Sequence, residues 1–430
     1  MAKETRQKTT AGDSPVFQTG LKDLTLWHWL FYLRWLGPDP SEHLAQNWKH
    51  FIAVLDDAVQ WAGGWEKSKV AQPDDLPHSR QMNVRLASLP WLESADTLRS
   101  LEARVMLDVF YLQAGCVREG TAVPEDASHL RRPAWQVEKG AASFLGQAVC
   151  LTAEVGQIGE GEARVIAQRM LESWSAKPVR QVEMVELDFG FVALPAGLPS
   201  ELNDEVWVLL VRDTDEARAQ AEELVHRLLP PLFLARLKGQ VTAEKSEREL
   251  LPAAHKLEGK LSQDLHRIAE QPRRLKILEE ASYSISQLQA RLAESLSRCE
   301  ETLVTLRVNA ENLERLLGDP LFASHRTSLD VWLVAPLRLQ MEQIETDLRY
   351  LTITHTQADR ALRGIETMAG VRSARWERAT AILFGLFVVF GVAQAFPELP
   401  SKAVLLWRAG LILIAAILIF LFTWLLSRRQ

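Results

Sequence analysis

The chain has 430 residues, of which 24% are charged, with a formal charge of -6 and a mean hydropathy of -0.07. A mildly acidic chain with no basic domain excludes nucleic acid as an expected partner, and this length points to two or three structural units. The cysteines Cys116, Cys150 and Cys299 are odd in number and far apart, with no Cys-x-x-Cys pair. They encode neither a disulfide framework nor a zinc site and fit a reducing compartment.

Residues 1–21 are polar, rich in Lys, Thr, Gly and Ser, and read as a disordered tail without the apolar core of a secretory leader. Residues 24–36, rich in aromatics and stopped by Gly37-Pro38-Asp39-Pro40, read as a buried strand or a core helix. Ser41 is placed to cap a helix over 42–62, whose Leu44, Trp48, Phe51, Leu55 and Val59 repeat at three or four. Trp27, Trp29, Trp35, Trp48, Trp61 and Trp65 are expected to fill a core. Residues 63–100 read as loop, 103–114 as strand or helix, and 115–141 as a surface connection. A buried strand at 143–155 is followed by a Gly156–Gly161 turn and a helix over 162–174. Strands at 179–194, bent at Phe189-Gly190, and at 205–212 come next. Asp213 or Thr214 then caps a helix that runs to Leu229, where Pro230-Pro231 breaks it. Strands mixed with helices over this length predict an α/β domain with a mixed sheet.

A helical regime follows. From 261 to 317 the apolar positions are spaced by three and four, disturbed once at Pro272, and Gly318-Asp319-Pro320 marks a turn. The seam resumes through Leu337, Met341, Ile344, Leu348, Leu351, His355, Leu362 and Ile365. Two long helices joined by a short turn should pack antiparallel as a stalk. The second continues without a breaker into an apolar stretch, 379–396; a loop with Pro397, Glu398 and Leu399 and a second apolar stretch, 403–426, complete the pattern. Each stretch is long enough to cross a hydrocarbon core of about 30 Å. Arg372, Arg375 and Arg378 before the first stretch, and Arg428 and Arg429 after the second, place both termini in the cytoplasm by the positive-inside rule. Trp376 and Trp407 are placed as interfacial anchors, and Arg408 as a snorkelling side chain beside Trp407.

The chain carries little that reads as catalysis. His43 and His50 share a helix but have no acidic or thiol partner at ligand spacing. His355 reads as a register-setting polar seam residue or a pH-sensing ring. Gly156, Gly159 and Gly161 match no phosphate-binding fingerprint, and Asp188-Phe189-Gly190 lacks any accompanying kinase signature. No catalytic residue, metal site or cofactor is expected. Thr380, Phe384, Phe387, Gly391 and Gln394 fall on one helical stripe of the first apolar stretch, where a pore would need them, and Gly385 and Gly391 would admit close helix approach.

The stretch Gly391-Val392-Ala393-Gln394-Ala395-Phe396-Pro397-Glu398-Leu399, with its stalk before and hairpin after, resembles the CorA family of metal-ion channels. That family has a cytoplasmic α/β domain, a stalk helix continuous with the first span, and a Gly-Met-Asn marker followed by a Pro-Glu-Leu loop. Here the Gly and the Pro-Glu-Leu stand, while Val392 and Ala393 replace the Met-Asn whose amide holds a hydrated magnesium ion. The resemblance covers about the last hundred residues and implies a homo-oligomer, a pentamer in that family. By layout alone the chain is also similar to the caspase- and repeat-associated (CATRA) membrane proteins of bacterial conflict systems.

The expectation is therefore an α+β, mostly helical protein. It comprises an α/β cytoplasmic domain (22–240), an antiparallel coiled-coil stalk (241–375) and a two-helix transmembrane hairpin (376–430), held as an oligomer in the cytoplasmic membrane. A gated or membrane-permeabilising pore fits it best, with an antiviral defence effector as one form of it, and with lipid and a cytoplasmic sensor protein or small ligand as partners. The alternatives are a non-conducting membrane-anchored scaffold and a divalent-cation transporter.

Overall fold

Thirteen residues from Leu21 to Leu33 form strand β1, apolar from Leu24 onward except at Thr25 and His28 because both of its faces are covered there. The computed structural model describes residues 21–33, 40–62, 84–94, 97–106, 109–130, 144–196, 204–270 and 275–394, together with Gly410, Ile414 and Ile417. The remaining strands are β2 (Val84–Ser94), β3 (Thr97–Met106), β4 (Val109–Ala122), β5 (Phe144–Val155), β6 (Gln181–Leu187), β7 (Gly190–Ala196) and β8 (Asp204–Arg212). The helices are α1 (Pro40–Ala62), α2 (Glu160–Ser175), α3 (Asp215–Glu223), α4 (Leu229–Lys245), α5 (Leu251–Glu270), α6 (Leu275–Leu317), α7 (Arg326–Leu333) and α8 (Ala335–Gln394). The chain is thus a mixed α+β protein, with its sheet in the N-terminal half and long helices in the C-terminal half. It divides into two units, residues 1–245 with 302–343, and residues 246–301 with 344–430.

In the first unit the eight strands form one sheet in the order β2-β3-β4-β1-β5-β8-β7-β6. Every adjacent pair is antiparallel except β5 and β8, which run parallel because α2 and the β6–β7 hairpin lie between them in sequence. Alternation along β1 sorts the core. Leu24 and Leu26 join α2 residues Ile166, Met170 and Leu171 in one cluster, and Leu30 and Tyr32 join α1 residues Trp48, Phe51 and Leu55 in another. The opposite side chains meet α4, where Phe233 packs 5.4 Å from Trp29 and 5.2 Å from Trp207, centroid to centroid. Of the early tryptophans, Trp29 and Trp48 are buried and Trp27 and Trp61 half-buried; Trp35 and Trp65 lie outside the described residues.

Several local expectations are corrected. Residues read as loop contain the β2–β3 hairpin. Pro90 and two register shifts hid β2, and a proline is tolerated there because β2 is a sheet edge. The expected surface connection instead carries β4 on to Ala122, followed by a 3-10 turn, Pro124–His129. The bent strand at 179–194 is the β6–β7 hairpin, turning at Asp188-Phe189; Gly190 is required because a Cβ there would strike the Leu210 carbonyl oxygen. Helix α1 begins at Pro40, so Ser41 lies inside it rather than capping it. Thr214, not Asp213, caps α3, its Oγ1 accepting from the Ala217 N–H at 3.2 Å.

Pro230-Pro231 does not end the helix. A π-helical turn, Leu224–Leu228, leads directly into α4, and a second, Ser246–Leu250, precedes Pro252. A proline ring clashes with the carbonyl four residues back and offers no N–H; a wider turn just before it relieves both faults. Nor is the joint after α6 a short turn: a 3-10 segment, Pro320–His325, and α7 intervene before α8. Arg236 ties this joint to the sheet domain. Its Nε donates to Glu205 at 2.7 Å, and its Nη1 donates to the carbonyls of Trp332 and Leu333 at 2.8 and 3.0 Å. Arg338 binds Glu314 and Asp330, and Gly239 leaves room for Leu337, whose methyls would lie 2.8 Å from any Cβ.

In the second unit three helices share a core, not two. Ala254 and Leu261 of α5, Ile285 and Leu292 of α6, and Leu351 and Ala358 of α8 form one cluster. Ser284 Oγ donates to Asp264 at 2.6 Å and Thr354 Oγ1 to Glu258 at 3.4 Å, joining the three helices at their polar edges.

Candidate functional site: helix α8 and a polar patch on the sheet

Helix α8 spans 60 residues, about 90 Å at 1.5 Å per residue. Its seam residues divide by sevens. Leu337, Ile344, Leu351 and Ile365, with Ala358, are buried, while Met341, Leu348, His355 and Leu362 are half-buried. Helix α6 shows the same period: Leu278, Ile285, Leu292, Cys299, Leu306 and Leu313 are all buried. A strict seven-residue column is the signature of left-handed knobs-into-holes packing.

The backbone of α8 carries Thr380, Phe384, Phe387, Gly391 and Gln394 on one uninterrupted helix. Thr380 and Gly385 are exposed and Ile382 is 66% exposed; the side chains of Phe384, Phe387 and Gln394 lie outside the description. Arg372, Arg375 and Trp376 lie on the α8 backbone, and the Arg378 side chain is exposed. Pro397, Glu398, Leu399, Trp407, Arg408, Arg428 and Arg429 lie outside the described residues, as does most of the second apolar stretch; Gly410, Ile414 and Ile417 are helical. Among the described residues, no helix is long and apolar enough to cross a membrane.

A polar patch that sequence reasoning missed lies on the sheet face away from α1. Arg104 Nη2 binds Glu102 at 2.7 Å, both side chains being about one-sixth exposed or less (17% and 15%), with Tyr111 buried alongside. Gln113, itself buried, meets His226 Nδ1 at 3.0 Å, and Trp27 packs edge-on to that imidazole at 4.7 Å. With Gln113 donating through Nε2, Nδ1 is the acceptor and the ring is neutral. His226 sits on the first π-helical turn, and removal from water by the sheet lowers its pKa, partly countered by Glu102 and Glu222. The ring keeps solvent contact on its outer side, which screens that effect. The available signal was the alternation of Glu102 and Arg104 with Leu101, Ala103 and Val105, which places two charges on one side of a buried strand. On the other face, His28 and Gln147, both buried, pair at 2.8 Å.

The sheet end that binds ligands in doubly wound folds is self-satisfied here. At the C-terminal ends of the parallel β5–β8 pair, Arg218 binds Glu154, Asp213 and Asp215, and Lys22 binds Asp213. Helices α2 and α3 open with Glu160, Glu162, Asp215 and Glu216, which repel an anion from both N-termini. The Gly156–Gly161 segment turns into α2, where the Gly159 N–H donates to Glu162 at 3.3 Å. Burial raises the pKa of Cys116, Cys150 and Cys299, which keeps these thiols protonated at neutral pH. The His43 side chain lies outside the description and His50 is half-exposed; among the described residues no group of three metal-ligating side chains occurs. No protein-family model matches the chain, and no curated protein matches it.

Proposed function

We propose that the protein is a membrane-anchored oligomer in which α8 joins an aqueous α+β domain to a conducting path through the cytoplasmic membrane. The observation that carries this reading is α8 itself, helical from a seven-residue packing column at Leu337–Ile365 into the apolar residues 379–394. In this reading Thr380, Phe384, Phe387, Gly391 and Gln394 face the path, the phenylalanines forming a dewetting constriction and Gln394 a polar mouth. The polar patch around His226 is where a ligand or partner acts on the sheet domain. The Pro-Glu-Leu segment at 397–399 supports a CorA-like hairpin, and the absence of Met-Asn argues for weak ion selectivity or general permeabilisation over magnesium transport.

Purified protein reconstituted in liposomes, shown to be inserted and oligomeric, should release a trapped ion. Flux at background under those conditions refutes the proposal.

The mutual burial of α5, α6 and α8 within one copy favours a second reading, a non-conducting scaffold held at the membrane by its hairpin. Replacing residues 379–426 with an unrelated two-helix anchor separates the readings: a scaffold keeps its cellular activity and a pore loses it.

A further inference from the structure

On the α1 side of the sheet two core clusters, one holding residues of α1 and the other residues of α2, meet at Trp61, which packs against both. The sheet face along that boundary is polar on a diagonal. Arg99 of β3 stands opposite Cys116 of β4, and Cys116 opposite Leu26 of β1. Two residues further along β1, His28 pairs with Gln147 of β5, and Cys116, His28 and Gln147 are all buried. Thr97, on the same face as Arg99, lies with it against the Cys116 thiol. Thr97, Arg99 and Trp61 are partly exposed, so the diagonal reaches solvent at this end.

The fold uses only part of Arg99. Its Nη1 donates to the Trp61 carbonyl at 2.6 Å, among the last carbonyls of α1, and its guanidinium lies 5.0 Å from the Trp61 ring centroid. Capping and stacking account for those contacts and leave two donors over. Arg99 Nε and Trp61 Nε1 are buried without an acceptor, and among the described residues no carboxylate pairs with this guanidinium. The Cys116 sulfur beside Arg99 is a weak acceptor. Elsewhere in the sheet domain Arg104, Arg118, Arg218 and Arg236 each bind a carboxylate. The Nε–Nη2 edge of Arg99 is the fork that grips a carboxylate by two parallel bonds, and a buried donor is stabilised when an acceptor reaches it.

We propose that this end of the diagonal binds a small monocarboxylate, held by the Arg99 fork and the Trp61 indole N–H. One guanidinium balances one negative charge, which favours a carboxylate over a dianionic phosphate. The site lies on the opposite face of the sheet from the patch around His226 and does not depend on a conducting path.

The test is equilibrium dialysis of the full chain in detergent against radiolabelled acetate, with phosphate as competitor at matched ionic strength. One saturable site per chain is expected. Arg99→Gln should abolish it, Trp61→Phe should weaken it roughly tenfold by removing one hydrogen bond to a charged group, and Arg164→Gln, which removes a surface charge far from Arg99 in sequence, should leave it unchanged. Circular dichroism checks that each variant folds; if Arg99→Gln does not, because α1 loses its cap, Trp61→Phe decides. No saturable binding up to about 10 mM acetate overturns the site, as does binding that Trp61→Phe or a folded Arg99→Gln leaves unchanged. Phosphate competing as well as unlabelled acetate overturns the carboxylate assignment.

Discussion

His226 accepts a hydrogen bond that a protonated ring has to give up, and its folded pKa lies below the ordinary 6.5. Between the folded and the unfolded pKa the unfolded chain binds a proton that the native site excludes, so this ring's contribution makes stability fall as pH drops through 6.5. His226→Gln keeps an acceptor but does not titrate. Urea midpoints measured from pH 7.5 to 5 should fall less steeply in the variant; an identical slope would remove the ring from any pH response. Arg236 holds a different kind of position, with a carboxylate and two α7 carbonyls on one nearly buried guanidinium. Arg236→Ala leaves all three acceptors without it and should destabilise the first unit by roughly 3 kcal/mol in chemical denaturation. A loss below about 0.5 kcal/mol, the range of ordinary surface substitutions, would mean that water replaces it.

At the scale of elements, the seven-residue columns make a quantitative claim. Leu351 is fully buried and Leu348, three residues earlier, is half-buried. Leu351→Ala should cost about 3 kcal/mol and Leu348→Ala about 1 kcal/mol, read from denaturation of the full chain. Equal costs would deny the column. This periodicity was legible in the sequence because a seven-residue repeat of Leu and Ile has few other uses, and α8 follows it closely. The strands flanked by Gly and polar turns, β1, β5 and β8, were legible too. What escaped was set by context. Pro90 reads as a loop residue, yet an edge strand spares its missing N–H. Pro230-Pro231 reads as a stop, yet a π turn absorbs it. The third helix of the stalk core, α5, was merged with α6, because the three-and-four spacing carries on from Leu265 and Ile268 past Pro272; Ala254, Leu257, Leu261, Leu265 and Ile268 make it a separate wall of that core. The polar patch escaped for another reason: Glu102, Arg104, Gln113 and His226 come from three segments that only the sheet order brings together.

At the scale of the whole molecule, the proposed function requires one helix to serve two solvents, water along its packed column and lipid along residues 379–394. Helix α8 carries a packed column at Leu337–Ile365, and the sequence of its far end is apolar. In the proposed assembly the amide of Gln394 belongs at the mouth of the path rather than against lipid. The measurement that bears on this most directly is the mass of the protein embedded in lipid nanodiscs, combined with ion flux from liposomes made with the same preparation. The account predicts a single closed assembly of several copies and a flux that Gln394→Leu lowers severalfold without changing the mass. A protein that remains one copy per disc and passes no ion would contradict it.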